Sequence, residues 1–137
     1  MEKSDFLNYR ALVLEVRQLK SYVDTLDRAL SYASGPQYSL TPKGAPSGGS
    51  ALASRVAKYL EMKDLFEAKR AECEAQLLGV EKAIQSLDVP AERLVMRLRY
   101  LEGRSWPNVC YKLEAEGYSE RTVYRLHGSA LRKLKEV

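Results

Sequence analysis

From Tyr9 to Leu30 the apolar residues Tyr9, Leu12, Val16, Leu19, Val23, Leu26 and Leu30 follow one another at spacings of 3, 4, 3, 4, 3 and 4. An unbroken heptad stripe of this length, with charged residues on the other faces, predicts an amphipathic helix from about Asp5 to Ala33. A second stripe comprises Leu52, Val56, Tyr59, Met62 and Phe66 and resumes beyond Lys69-Arg70 at Cys73, Leu77, Val80, Ile84 and Leu87. It predicts a helix from Ala51 to about Asp88. At ~1.5 Å per residue the two would be roughly 40 and 55 Å long. A helix with one apolar face is not stable alone in water. A long antiparallel helical hairpin, coiled-coil-like, buries both stripes and can close further on a second copy of the chain. Lys69-Arg70 falls where either a register device or a solvent-exposed stretch would sit.

Between the two stripes, residues 34–50 hold three prolines and four glycines in seventeen positions. No regular element is expected there, and the segment reads as a flexible loop. Residues 1–88 thus form a hairpin and oligomerisation segment. Val89-Pro90 ends the second helix, because the residue before proline avoids the helical region and proline cannot continue the ladder. Three short helices are expected in residues 89–137. The first carries Leu94, Val95, Leu98 and Leu101 inward and stops at Gly103. The second is capped by Ser105, tolerates Pro107 in its first turn and buries Val109, Cys110 and Leu113. Gly117 closes a turn and Ser119 caps the third, whose apolar stripe is Val123, Leu126, Ala130, Leu131 and Leu134. The fold class is therefore all-α, with a helical hairpin followed by a C-terminal helix-turn-helix domain.

Charge separates these regions. The chain carries +4 overall. Residues 1–32 hold five Lys/Arg against five Asp/Glu, and residues 33–88 hold seven against seven. Residues 89–137 hold ten against six, so the whole excess lies in the C-terminal third. A local basic excess suits a nucleic-acid binder, and it also serves solubility. Cys73 and Cys110 are far apart and form no CxxC pair; each reads as a small apolar residue in a reducing compartment. No apolar run is long enough to span a bilayer, and the N-terminal residues are charged and polar, so neither a membrane partner nor a secretory signal is expected. There is no serine–histidine pair, no carboxylate dyad and no phosphate-cradling glycine loop. Gly48-Gly49-Ser50 lacks the preceding strand and the lysine of a P-loop. Neither an enzyme nor a cofactor is expected.

The segment Leu98-Arg99-Tyr100-Leu101-Glu102-Gly103-Arg104-Ser105-Trp106, with Arg121-Thr122-Val123-Tyr124-Arg125-Leu126-His127-Gly128-Ser129-Ala130-Leu131-Arg132-Lys133-Leu134, resembles the C-terminal region of ArpU-like phage transcriptional regulators. That region is similar to region four of bacterial sigma factors. The close motifs span about the last forty residues. The resemblance implies binding of double-stranded DNA near promoters of phage or prophage genes, in the cytoplasm of a bacterial host cell. It implies that Glu120, Arg121, Tyr124 and Arg125 reach the major groove, that Val123 and Leu126 hold the helix to its core, and that Ser105 approaches a phosphate. Glu114-Ala115-Glu116-Gly117 adds about three residues to the tight sigma-like turn, which would lengthen the second helix by a turn.

Several side chains carry two readings. Arg121 and Arg125 lie one turn apart and can each donate two hydrogen bonds to guanine, worth roughly 1–3 kcal/mol of discrimination, or they form a solvated basic face. Thr122 can meet a thymine methyl. Glu120 can accept from a cytosine amino group or simply favour the helix dipole, with Ser119 as its cap. Tyr124 is a phosphate or base contact, or it covers the core. Trp106 lies along the DNA backbone or belongs to the core. His127 contacts a phosphate or packs, and has no second ligand at metal spacing. Arg132, with Lys133 and Lys135, makes a basic helix end that meets phosphates.

The function expected is a sequence-specific, double-stranded DNA-binding regulator of transcription. Because one such module buries little surface, a homodimer or larger even oligomer on spaced half-sites is expected. Two other classes fit the same pattern. One is a small-terminase-like DNA-packaging protein, which would form rings. The other is a helical adaptor whose C-terminal domain binds RNA polymerase.

Overall fold

A computed structural model describes residues 1–33 and 45–136 of the chain. Among the described residues every regular element is helical. The elements are α1, Lys3–Ala33; α2, Ala45–Gln85; α3, Pro90–Met96, continued by a π-helical turn, Arg97–Leu101; α4, Trp106–Glu114; and α5, Glu120–Lys135. The Asp5 carboxylate accepts the Glu2 N–H at 2.7 Å and so satisfies a donor at the start of α1. α2 begins at Ala45, so residues 45–50 are helical where a loop was expected from 34 to 50. The reason is local: Pro46 falls in the first turn, where its missing N–H has no intrahelical partner to lose. The remainder of that expected loop, 34–44, lies outside the described residues.

The heptad stripe of α1 is its least exposed face, with Tyr9, Leu12 and Val23 buried and Val16, Leu19, Leu26 and Leu30 half-buried. On α2 the stripe holds at Tyr59, Met62 and Phe66, whereas Val56 is exposed. The chain divides into two compact units, and each takes part of both long helices. In the smaller unit, Leu14–Glu72, Lys69 fills the next stripe position of α2. Its Nζ stands 3.6 Å from Glu15 Oε1 and 3.8 Å from Glu72 Oε2. At the Lys69-Arg70 interruption Lys69 is half-buried beside Glu15 of α1, while Arg70 is exposed.

The larger unit is Met1–Val13 with Cys73–Val137. Its boundary does not follow the division at residue 88 expected from sequence, because Phe6, Tyr9, Val80, Ile84 and Leu87 share one core with Met96, Tyr100, Ala130 and Leu134. A second core joins Val95, Leu98, Val109, Leu113 and Val123, with Trp106, Cys110, Tyr118 and Leu126 packed against it. The α3 segment therefore faces two ways. Its π-helical end is closed by Glu102 N–H donating to Arg97 O at 2.9 Å, and it keeps Leu98 in one core and Tyr100 in the other. Leu94, expected inside, is exposed; Glu92 takes an interior place instead, at 1% exposure. That carboxylate is tolerable because Lys133 Nζ donates to Glu92 Oε1 at 2.5 Å and to Asp88 Oδ1 at 3.3 Å. Lys133 was read as part of a basic helix end; in the fold it ties α5 to α3, and its hydrogen bond holds the Asp88 carboxyl below the usual range.

His127 is also inside. Named among the DNA contacts, with packing as its other reading, it packs: the residue is 9% exposed, and Nε2 lies 2.8 Å from Tyr100 Oη. The Trp106 ring meets it edge-on at 4.6 Å between centroids. The correction has a simple cause: His127 recurs with Val123, Ala130 and Leu134 at helical spacing, on the core face of α5. Burial, then the nearby charges of Lys3 and Arg99, lower its pKa from 6.5 to about 4.

Two outcomes follow for stability. Ile84, fully buried, and Leu78, 64% exposed, lie on the same helix. Ile84→Ala should cost about 2–5 kcal/mol in urea unfolding and Leu78→Ala no more than about 0.5; equal costs would contradict the burial pattern. For His127, both states are neutral above pH 6.5, while between 6.5 and about 4 only the unfolded chain takes up the proton. Stability should thus fall through that window by up to about 3 kcal/mol, and His127→Gln should flatten the fall. An unchanged slope in that variant would show that other groups carry the acid response.

Candidate nucleic-acid interface

The geometry of α4 and α5 begins with two serine caps. Ser105 Oγ accepts the Asn108 N–H at 3.3 Å, and Ser119 Oγ accepts the Thr122 N–H at 3.2 Å. Between the helices, Gly117 takes φ +90°. Tyr118 N–H donates to Leu113 O and Gly117 N–H to Glu114 O, both at 3.0 Å. This pair of bonds with a left-handed glycine is a Schellman cap, and the Tyr118–Leu113 contact is its apolar clasp. The extra residues after Leu113 are therefore absorbed by the cap, and α4 ends at Glu114 without the additional turn expected from sequence.

The turn before α4 is held differently. Gly103 takes φ +69°, and the Arg10 guanidinium of α1 fills the space a side chain there would need. Arg99 Nη1 donates to Arg104 O at 2.8 Å, and Arg104 in turn reaches Glu102 and Asn108. Arg99 and Arg104 are thus engaged in holding this turn. Sequence reading assigned them no role, since only their carbonyl and carboxylate partners reveal one.

Trp106, at the start of α4, packs against the core shared by the two capped helices. The Arg99 guanidinium lies 4.8 Å from its ring centroid, and the Tyr124 ring 5.1 Å away. Half-buried, it takes the core reading and orients Tyr124, which remains 44% exposed. Burial first, then the Glu120 carboxylate, raises the Cys110 thiol above its ordinary value. That makes it a poor nucleophile.

Of the residues singled out from sequence, Ser105, Ser119, Glu120, Arg121, Tyr124, Arg125 and Arg132 are exposed, Trp106 and Thr122 are half-buried, and His127 is buried. The Thr122 hydroxyl is occupied by Ser119 Oγ at 2.9 Å. Arg121, Arg125 and Arg132 have no carboxylate partner among the described residues. They lie opposite the buried face Val123, His127, Ala130 and Leu134, so their guanidiniums meet solvent. Such a surface can donate planar, charge-assisted hydrogen bonds to phosphates or base edges. Among the described residues no group of three His, Cys, Asp or Glu is placed to hold a metal ion, and no helix is long and apolar enough to cross a membrane.

A family model described as "Protein of unknown function (DUF1492)" matches residues 55–135, which takes in most of α2 and all of α3, α4 and α5. No curated protein and no solved structure matches the chain. With more than half of its length under that model, the chain belongs to the DUF1492 family.

Proposed function

We propose that the chain is a sequence-specific, double-stranded DNA-binding regulator of transcription, similar to ArpU-like phage regulators. In this reading α3, α4 and α5 form the helix-turn-helix domain, with α5 as the recognition helix. The observation that carries it is the pair Arg121 and Arg125, exposed and, among the described residues, free of carboxylate partners on the outer face of a serine-capped, well-buttressed helix. One turn apart, they can enter the same groove and read guanine edges. Phosphate contacts from Ser105, at the capped start of α4, and from Arg132 set register and affinity without sequence information. Tyr124, fixed by Trp106, meets the rim of the groove.

α1 and α2 then serve as an antiparallel hairpin that joins copies. Within Leu14–Glu72 the only described residue that is buried is Val23, while Leu14, Tyr22, Val56, Leu60 and Leu65 are exposed. A heptad-bearing pair of helices left this open gains most by packing on a second copy. Two copies place two α5 helices on spaced half-sites, which supplies the specificity one small module lacks.

Selection of bound fragments from a random duplex library should return one motif, arranged as paired half-sites. Arg121→Ala with Arg125→Ala should abolish that selectivity, at roughly 1–3 kcal/mol per arginine, and leave helicity and mass unchanged. A double variant that still selects the same motif would refute α5 as the reader. Leu19→Glu with Val23→Glu should reduce the solution mass to that of a monomer; an unaltered mass would exclude the hairpin as the assembly element.

A further inference from the structure

Gly128 sits in the middle of α5, where glycine destabilises a helix relative to alanine. Nothing in the fold requires it. Its φ is not positive, and a Cβ built there meets no atom within 4 Å. Its neighbours on the same face are informative. Arg121, Arg125, Gly128, Arg132 and Lys135 recur at spacings of 4, 3, 4 and 3, so glycine interrupts a stripe of four cations on the outer side of the helix. All four are exposed, and no acidic residue falls among them. Lys133, by contrast, is turned to Glu92 and Asp88 and does not join the stripe. Arg132 and Lys135 also line a shallow groove with Glu2, Lys3, Ser4 and Leu131, which adds the Lys3 ammonium of α1 to the same end.

Lengths decide how such a stripe can meet a duplex. From Arg121 to Lys135 it extends about 21 Å at ~1.5 Å per residue. The major groove is about 12 Å wide. In a helix that enters cap first, with Arg121 and Arg125 inside, Gly128 lies about 10 Å along the axis from Arg121, close to the width of the groove and so near its wall. We infer that a DNA phosphate strand crosses α5 in van der Waals contact with Gly128, between Arg125 on the groove side and Lys3, Arg132 and Lys135 on the outer side. The missing side chain lets the strand lie against the helix backbone, and the three outer cations neutralise phosphates beyond the crossing. This rests on the DNA-binding reading above and adds to it the path of the strand.

The test measures binding of a fluorescein-labelled duplex of random sequence to the full chain across a salt series. Gly128→Ala and Gly128→Leu should melt at or above the wild-type temperature, since the space is open and both residues favour helix. The leucine variant should nevertheless bind at least about tenfold more weakly, a difference of about 1.4 kcal/mol, with alanine in between. Lys3→Ala with Arg132→Ala and Lys135→Ala should lower the slope of log affinity against log salt by two to three, since each phosphate contact accounts for about 0.9. Wild-type affinity in Gly128→Leu, with Arg121→Ala and Arg125→Ala still weakening binding, would overturn the crossing and leave the DNA reading standing. An unchanged salt slope in the triple variant would likewise overturn it. Absence of duplex binding by the wild type would overturn both.

Discussion

The helical segment from Pro90 to Leu101 faces two cores at once, and the larger unit depends on that. Met96 and Tyr100 turn toward the ends of α1 and α2, while Val95 and Leu98 turn toward α4 and α5. A regular helix offers one continuous apolar stripe of about 100°. Val95 and Met96 already part to the two cores within α3, and the π-helical turn at Arg97–Leu101 continues the division with Leu98 and Tyr100. α5 bridges the two cores as well, with Ala130 and Leu134 beside the ends of the long helices and Val123 beside α4.

An aromatic chain runs along the same division. Phe6 meets Tyr100 at 5.0 Å between centroids, Tyr100 meets His127 at 5.7 Å, His127 meets Trp106 at 4.6 Å, and Trp106 meets Tyr124 at 5.1 Å. It joins α1, the π-helical turn, α5 and α4, and ends at an exposed tyrosine beside the basic face. Rings of this size in offset and edge contact add directional preference to area burial. The outer arginines of α5 are thereby presented by a helix whose opposite side is packed to the centre of the unit. Preorganisation of that kind reduces the ordering cost of any contact the arginines make.

Much of this was legible in the residues themselves. The heptad positions of α1, the serines at 105 and 119, the proline at 90 and the glycine at 117 each act through neighbours within one turn of the chain, so local spacing suffices to read them. His127 and Glu92 could not be read this way. Each enters the core beside a partner distant in sequence, Tyr100 for His127 and Lys133 for one oxygen of Glu92, whose Oε2 meets no hydrogen-bond partner among the described residues. Leu94 shows the reverse, an apolar residue left outside because its neighbours already fill both cores. The start of α2 at Ala45 was obscured by composition, since glycine and proline signal a loop on average, while a proline in the first turn is compatible with helix.

Local spacing and chemistry in the sequence determined the helices, most of their caps and the stripe of cations along α5, because each depends on a backbone that repeats every 3.6 residues. Only the tertiary structure decided which polar side chains became interior, which arginines stayed without a carboxylate partner among the described residues, and that Gly128 opens onto empty space. Those outcomes turn on which atoms meet across long stretches of chain, and no periodicity within a single helix encodes that.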